Sequence, residues 1–166
     1  MKKSKTVGIY PGTFDPVTYG HIDLIHRAIG IFDEVVVAVA VEGSEKSPLF
    51  TVEERLQFLT KAVKSLKGRV RIETFEGLVV KFARQVGATT MIRGVRMISD
   101  FEYEFQMALT NRKLASDIET IFLMPHESHA YLSSRLIKEI ARLGGDIRPF
   151  VPRFVEDALQ RKYSRR

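Results

Sequence analysis

Apolar positions along this chain follow two alternating rhythms. Short, nearly unbroken apolar runs fall at 7–10, 34–41, 70–75, 89–93 and 120–124. Runs of that length, rich in Val and Ile and bounded by Gly, Pro or polar residues, predict strands covered on both faces. Between them the apolar residues recur every three or four positions, as on one face of a helix. Ile22, Ile25, Ala28, Ile29 and Phe32 form one such stripe, and Leu56, Leu59, Ala62, Val63 and Leu66 a second. Val79, Phe82, Ala83 and Val86 follow, then Phe101, Phe105, Ala108, Leu109 and Arg112, then Leu136, Ile137, Ile140 and Ala141. A last helix is predicted over 155–162. Thr51 with Glu54, and Ser99 with Glu102, have the spacing of capping boxes, while Gly68, Gly87 and Gly144-Gly145 are stop signals. Strand and helix alternate five times, which predicts an α/β fold with a doubly wound parallel sheet. With no repeat and no linker, residues 1–166 read as a single domain with short basic tails at about 1–5 and 161–166.

Composition narrows the functional classes. There are no cysteines, which excludes disulfides, thiol nucleophiles and cysteine–zinc sites. No signal peptide and no apolar run of bilayer-spanning length is evident, so a cytoplasmic protein is expected. The formal charge of +6 suggests nucleic acid at first sight. Seven of the cations, Lys2, Lys3, Lys5, Arg161, Lys162, Arg165 and Arg166, lie in the acid-free tails. Setting them aside takes the body from +6 to −1. A nucleic-acid face should be basic on the folded domain itself, so neither nucleic acid nor membrane is an expected partner.

The chemistry concentrates in residues 6–23. The first strand there runs into a loop dense in Pro11, Gly12, Asp15, Pro16, Thr18 and Gly20, and a helix begins near His21. A helix N-terminus presents unpaired N–H groups and a positive dipole end, which suits phosphate. Neither the G-x-G-x-x-G nor the G-x-x-x-x-G-K fingerprint occurs, so a nucleotide here is held another way. Arg93 and Arg96 directly follow the fourth strand, an awkward place for idle charge and a good one for a phosphate fork. Ser133 and Ser134 open the helix after strand five, either as a cap or as a phosphate cradle. Lys46 sits in a polar loop where, from its surroundings alone, a solvated lysine is the ordinary reading. His126 and His129 lack a nearby carboxylate set, and no metal site is expected. These loops follow the carboxyl ends of strands one, four and five, the end at which a doubly wound sheet binds its ligands where strand order reverses.

Gly12-Thr13-Phe14-Asp15-Pro16 followed by Gly20-His21-Ile22-Asp23 resembles the signature of the nucleotidyltransferase superfamily. The run from Tyr10 to Pro16 resembles its phosphopantetheine adenylyltransferase branch. Two further blocks follow in that family's order: Arg93-Gly94-Val95-Arg96 with Asp100-Phe101-Glu102-Tyr103-Glu104, then Leu132-Ser133-Ser134-Arg135-Leu136-Ile137-Lys138-Glu139. The resemblance spans residues 9 to about 154. It implies a Rossmann-like five-stranded sheet of order 3-2-1-4-5. It also implies ATP and 4′-phosphopantetheine as substrates, dephospho-coenzyme A and pyrophosphate as products, and Mg²⁺ accompanying ATP. A homohexamer and feedback by coenzyme A belong to the same expectation. By resemblance, Thr13 and His21 contact ATP phosphates and stabilise the transition state. Lys46 binds the substrate phosphate, Arg93 holds it as well, and the Val79 backbone meets the pantetheine arm. Phe14, Gly94, Val95, Arg96 and Glu104 line the ATP site, with His129, Ala130, Tyr131, Leu132, Ser133, Ser134 and Arg135. Arg135 replaces a usual third serine, and His129 stands where relatives carry an aromatic. Two other readings remain at this point: a sister nucleotidyltransferase for nicotinamide mononucleotide, glycerol phosphate or a flavin, and a basic nucleic-acid-binding module.

Overall fold

A computed structural model describes residues 5–41 and 48–164, with backbone only at Ser99. Lys46 and the extreme ends of the two tails lie outside the described residues. The strands are β1 (Val7–Gly12), β2 (Glu34–Ala40), β3 (Val70–Phe75), β4 (Thr90–Gly94) and β5 (Glu119–Leu123). The helices between and after them are α1 (Tyr19–Ala28), α2 (Val52–Ala62), α3 (Val79–Gln85), α4 (Ile98–Leu114), α5 (Ser134–Arg142) and α6 (Arg153–Ser164). All strand pairings are parallel, as the alternating pattern predicts, and their order β3-β2-β1-β4-β5 is the one the resemblance implies.

The apolar run of β2 explains the layering. Side chains alternate across a strand, so Val35, Val37 and Val39 join one core with Ile25, Leu59, Ile137 and Leu159 from α1, α2, α5 and α6. Val36 and Ala38 face the other core, with Val80 and Ala83 of α3 and Met91 of β4. Each fully buried Val or Leu contributes about 1.5–3 kcal/mol relative to exposure. α2 starts as its sequence predicts, because the Thr51 side chain accepts from Glu54 N–H and Glu54 accepts from Thr51 N–H.

One expectation about α4 is corrected. Its N-cap is Met97, in extended conformation and without a side-chain cap, so Ser99 lies inside the helix and the Ser99–Glu102 box does not form. The S/T-x-x-E pattern is local, whereas the crossover from β4 decides where the helix begins. The apolar stripe also faces outward: Phe101, Phe105 and Leu109 are 44%, 46% and 48% exposed. The covered face instead runs through Glu104, Ala108 and Asn111, whose Nδ2 donates to Met91 Sδ at 3.6 Å.

The sheet opens where strand order reverses. β1 pairs with β2 from Val7 opposite Glu34 to Gly12 opposite Val39. With β4 it pairs only at Gly8–Thr90 and Ile9–Met91. Beyond Ile9 the strands part, and Pro11 has no N–H with which to extend the ladder. Loops from the two halves diverge on either side, leaving a crevice at the strands' carboxyl ends.

Candidate active site

That crevice holds a cavity of about 500 Å³. Its floor is the loop joining β1 to α1. Phe14 there adopts φ 52°, the left-handed region, at a cost of about 1 kcal/mol for a non-glycine residue. Burial of its ring, edge-on to Tyr10 at 5.4 Å and to His21 at 5.1 Å, outweighs that cost. The Asp15–Pro16 bond is cis.

α1 opens with a capping box built from threonine and histidine. His21 N–H donates to Thr18 Oγ1 at 3.4 Å, and Thr18 N–H donates back to His21 Nδ1 at 3.1 Å. Thr18 Oγ1 also lies 3.1 Å from Nδ1. Because Nδ1 accepts a backbone N–H, the neutral ring carries its proton on Nε2. With Nδ1 turned back on the loop, Nε2–H is the nitrogen left for the cavity that His21 lines. Burial, and secondarily Arg96, lower the imidazole pKa to about 4. At neutral pH His21 is therefore an uncharged hydrogen-bond donor of fixed tautomer.

Two buried charged residues brace this loop. Asp15 accepts from Leu49 N–H and Phe50 N–H, both at 2.9 Å, and from Lys138 Nζ of α5 at 2.7 Å. Arg55 of α2, only 1% exposed, donates from Nη1 to Thr13 O at 2.8 Å and to Ala40 O at 2.9 Å. Its Nε is buried without a partner among the described residues. Burial lowers the Arg55 pKa, and Asp15 pushes it back up. Together they tie Thr13 to the end of β2 and to residues 49 and 50, which border the segment containing Lys46.

The far wall comes from β4, α4 and α5. Arg93 donates from Nε and Nη2 to the two Glu104 oxygens at 2.6 and 2.5 Å, and from Nη1 to Pro11 O at 3.1 Å. The last bond crosses the gap where the β1–β4 ladder has stopped. Arg96 pairs with Asp100 and donates to Leu132 O. Ser133 is the cap of α5, accepting from Leu136 N–H at 3.1 Å, and Ser134 Oγ donates to Pro16 O at 2.7 Å. Ser133 thus forms the cap that is one of the two readings its sequence position offers. Arg135 also lines the cavity. His129 stacks on Tyr19 at 6.1 Å, and its Nδ1 is buried without a partner among the described residues.

Sequence-derived candidates and cavity overlap in large part. Thr13, Phe14, His21, Arg93, Gly94 and Arg96 line it, as do Glu104, His129, Leu132, Ser133, Ser134 and Arg135. Four candidates do not. Val95 is held on the sheet, its N–H donating to Leu123 O, and Ala130 closes the turn at Glu127–His129. Tyr131 packs edge-on against Phe150, and Val79 begins α3 and packs against the core on the face of Val36 and Met91. Lys46 falls outside the described residues. Thr18, Asp15, Arg55 and Lys138 were missed as site residues. Thr18 has the Ser/Thr-x-x-acceptor spacing of a capping box with His in the acceptor place, and Arg55 sits on the apolar stripe of α2 with Leu59 and Ala62.

The cavity can bind anions without being an open basic patch. Among the described residues four cations line it, Arg93, Arg96, Arg135 and Lys138, against three acids, Asp15, Asp100 and Glu104. Each acid is ion-paired to one of the first, second and fourth of those cations.

Comparison with known proteins agrees with this geometry. The family model described as cytidylyltransferase-like matches residues 9–140. A phosphopantetheine adenylyltransferase of Desulfitobacterium hafniense is 57% identical over 157 residues, covering 95% of this chain and 95% of its own. One of Thermodesulfovibrio yellowstonii is 51% identical over 158 residues, covering 95% and 98%. Among solved structures, Plasmodium falciparum nicotinic acid mononucleotide adenylyltransferase, complexed with NaAD, superposes with a TM-score of 0.71 over 95% of each chain at 15% identity. At that identity the likeness concerns the fold.

Proposed function

The chain belongs to the cytidylyltransferase-like nucleotidyltransferases and, within them, to the phosphopantetheine adenylyltransferases, and from that premise we propose how its cavity performs the reaction. The activity is adenylyl transfer from ATP to 4′-phosphopantetheine, giving dephospho-coenzyme A and pyrophosphate, the penultimate step of coenzyme A biosynthesis. In the proposed chemistry, an oxygen of the substrate phosphate attacks the α-phosphorus of ATP. A new P–O bond forms, the bond to the bridging α,β oxygen breaks, and its electron pair leaves with pyrophosphate. No protein nucleophile is required, and catalysis consists of positioning and charge stabilisation.

The observation that carries this reading is the convergence of Thr13, His21, Arg93 and the N-termini of α1 and α5 on one cavity at the sheet's switch point. His21 Nε2–H donates to a non-bridging oxygen of the α-phosphate, with the Thr13 hydroxyl and the α1 N-terminus beside it. Arg93 holds the phosphopantetheine phosphate, aided by Lys46. Arg96, Glu104, His129 and the turn from Ser133 to Arg135 take ATP. Mg²⁺ fits this donor set as a companion of the triphosphate and water, because Asp15, Asp100 and Glu104 are already committed to cations. When bound, it neutralises charge on the polyphosphate. The outward apolar stripe of α4 supports assembly into a hexamer, and coenzyme A, sharing both halves of the product, is proposed to inhibit at the same site. The assignment to the cytoplasm is likewise a proposal; no helix among the described residues is long and apolar enough to cross a membrane.

The test is pyrophosphate release with Mg·ATP and 4′-phosphopantetheine, run beside nicotinamide mononucleotide and CTP/glycerol phosphate pairs. Turnover with phosphopantetheine alone is expected. Turnover only with another pair would discard the substrate roles of Lys46 and Arg93.

A further inference from the structure

The guanidinium meant for the substrate phosphate is already held by a carboxylate. Of the five N–H groups of Arg93, the Nε and Nη2 edge is taken by both Glu104 oxygens and one Nη1 N–H by Pro11 O. One N–H on each terminal nitrogen remains. A phosphate bound there shares a single guanidinium with Glu104, so two anions meet across one planar cation. The side chains of Arg93 and Glu104 are only 28% and 12% exposed, so solvent screens this repulsion weakly. Glu104 therefore does more than orient the fork: it competes with the ligand for the charge.

The same carboxylate can be relieved. Its two oxygens offer about four lone-pair sites, of which Arg93 uses two. Glu104 also lines the cavity, within which a neutral hydroxyl or amine donor can reach the remainder. Such a donor spreads the carboxylate charge and weakens both its hold on Arg93 and its repulsion of a phosphate. We infer that Glu104 is a positioning residue that couples the two substrates, competing with the phosphopantetheine phosphate for Arg93 until the nucleoside half of ATP hydrogen-bonds to it. This rests on the placement of ATP and phosphopantetheine proposed above. Because coupling is reciprocal, phosphopantetheine tightens nucleoside binding by the same factor.

The experiment is calorimetric titration with 4′-phosphopantetheine, with and without adenosine, which carries the nucleoside donors and no phosphate charge. The wild type is expected to bind phosphopantetheine about fivefold more tightly with adenosine present. Glu104→Gln keeps shape and removes the charge. It is expected to bind phosphopantetheine about threefold or more tightly without adenosine, and to respond little to its addition. A ligand-pocket substitution that merely loosened the site would weaken binding instead. Equal or weaker phosphopantetheine affinity in Glu104→Gln, or an adenosine effect of the same size in both proteins, overturns the inference. The wild-type adenosine response tests the idea even if the variant folds poorly, and its absence also counts against it. Wild-type turnover, measured in parallel, separates the outcomes: turnover without coupling sinks only the role of Glu104, whereas no turnover with phosphopantetheine sinks the reading beneath it.

Discussion

His21 does its work as a neutral donor whose direction is set by a neighbour two places before the glycine that precedes it. Removing it should cost on the order of 10²–10³ in kcat, the usual loss for one transition-state donor. Single-turnover rates for His21→Ala check this, and a near wild-type rate removes His21 from the chemistry. Its titration makes a second prediction. The folded pKa of about 4 lies below the ordinary 6.5. Between those values the unfolded chain therefore binds a proton that the native ring resists. Stability contributed by His21 is full above about pH 6.5, falls as pH drops toward 4, and levels off below it. Denaturant melts of wild type and His21→Gln across that window should diverge most at the high-pH end. Parallel curves would show that the ring is not held neutral. Thr18, which fixes the tautomer, reads first as a loop breaker, because its box partner is histidine where the familiar box has Glu or Gln.

At the scale of elements, the site depends on how loops are tied to the sheet. Arg55 fastens Thr13 and the end of β2 from beneath, through two carbonyls. Arg55→Met would leave both part-buried acceptors without this donor, costing about 1–3 kcal/mol. It should also raise the KM for phosphopantetheine more than that for ATP, since the freed loop borders Lys46. Chemical denaturation and initial-rate kinetics check the two halves, and an unchanged KM for both substrates would confine Arg55 to stability. The strands themselves were legible in the sequence, because five apolar runs separated by helical stripes leave few alternatives to a parallel sheet. Thr51–Glu54 was legible because both partners lie within one turn. Ser99–Glu102 misled, since its spacing is right but the return from β4 starts the helix at Ile98. The Arg93–Glu104 pair joins residues on different elements, and no local pattern announces such a pair. Val79, Val95, Ala130 and Tyr131 came from family resemblance, and in this chain their side chains lie outside the cavity wall.

For the whole molecule, the exposed face of α4 matters most. Phe101, Phe105 and Leu109 lie on a stripe with a helical period, which a sequence reading places in a core without saying whose core it is. In the isolated chain they face outward, beside Met97 and Ile98. Contiguous apolar surface of this kind marks an interface. The expected solution mass is that of six 18.9 kDa chains, about 113 kDa. Phe105→Glu should reduce it by placing a charge on the stripe. Light scattering coupled to size exclusion decides: a wild-type monomer would discard the assembly, and a Phe105→Glu hexamer would move the interface elsewhere.

The Thr18–His21 box also bears on inhibitor chemistry. Imidazole sites are usually courted with anions, whose grip vanishes once the ring loses its proton. Here the ring offers one fixed N–H at physiological pH, so an uncharged acceptor such as a sulfone or amide carbonyl suits it. Compounds that reach this position need carry no phosphate mimic there, and can keep the low polarity that passage through a cell envelope demands.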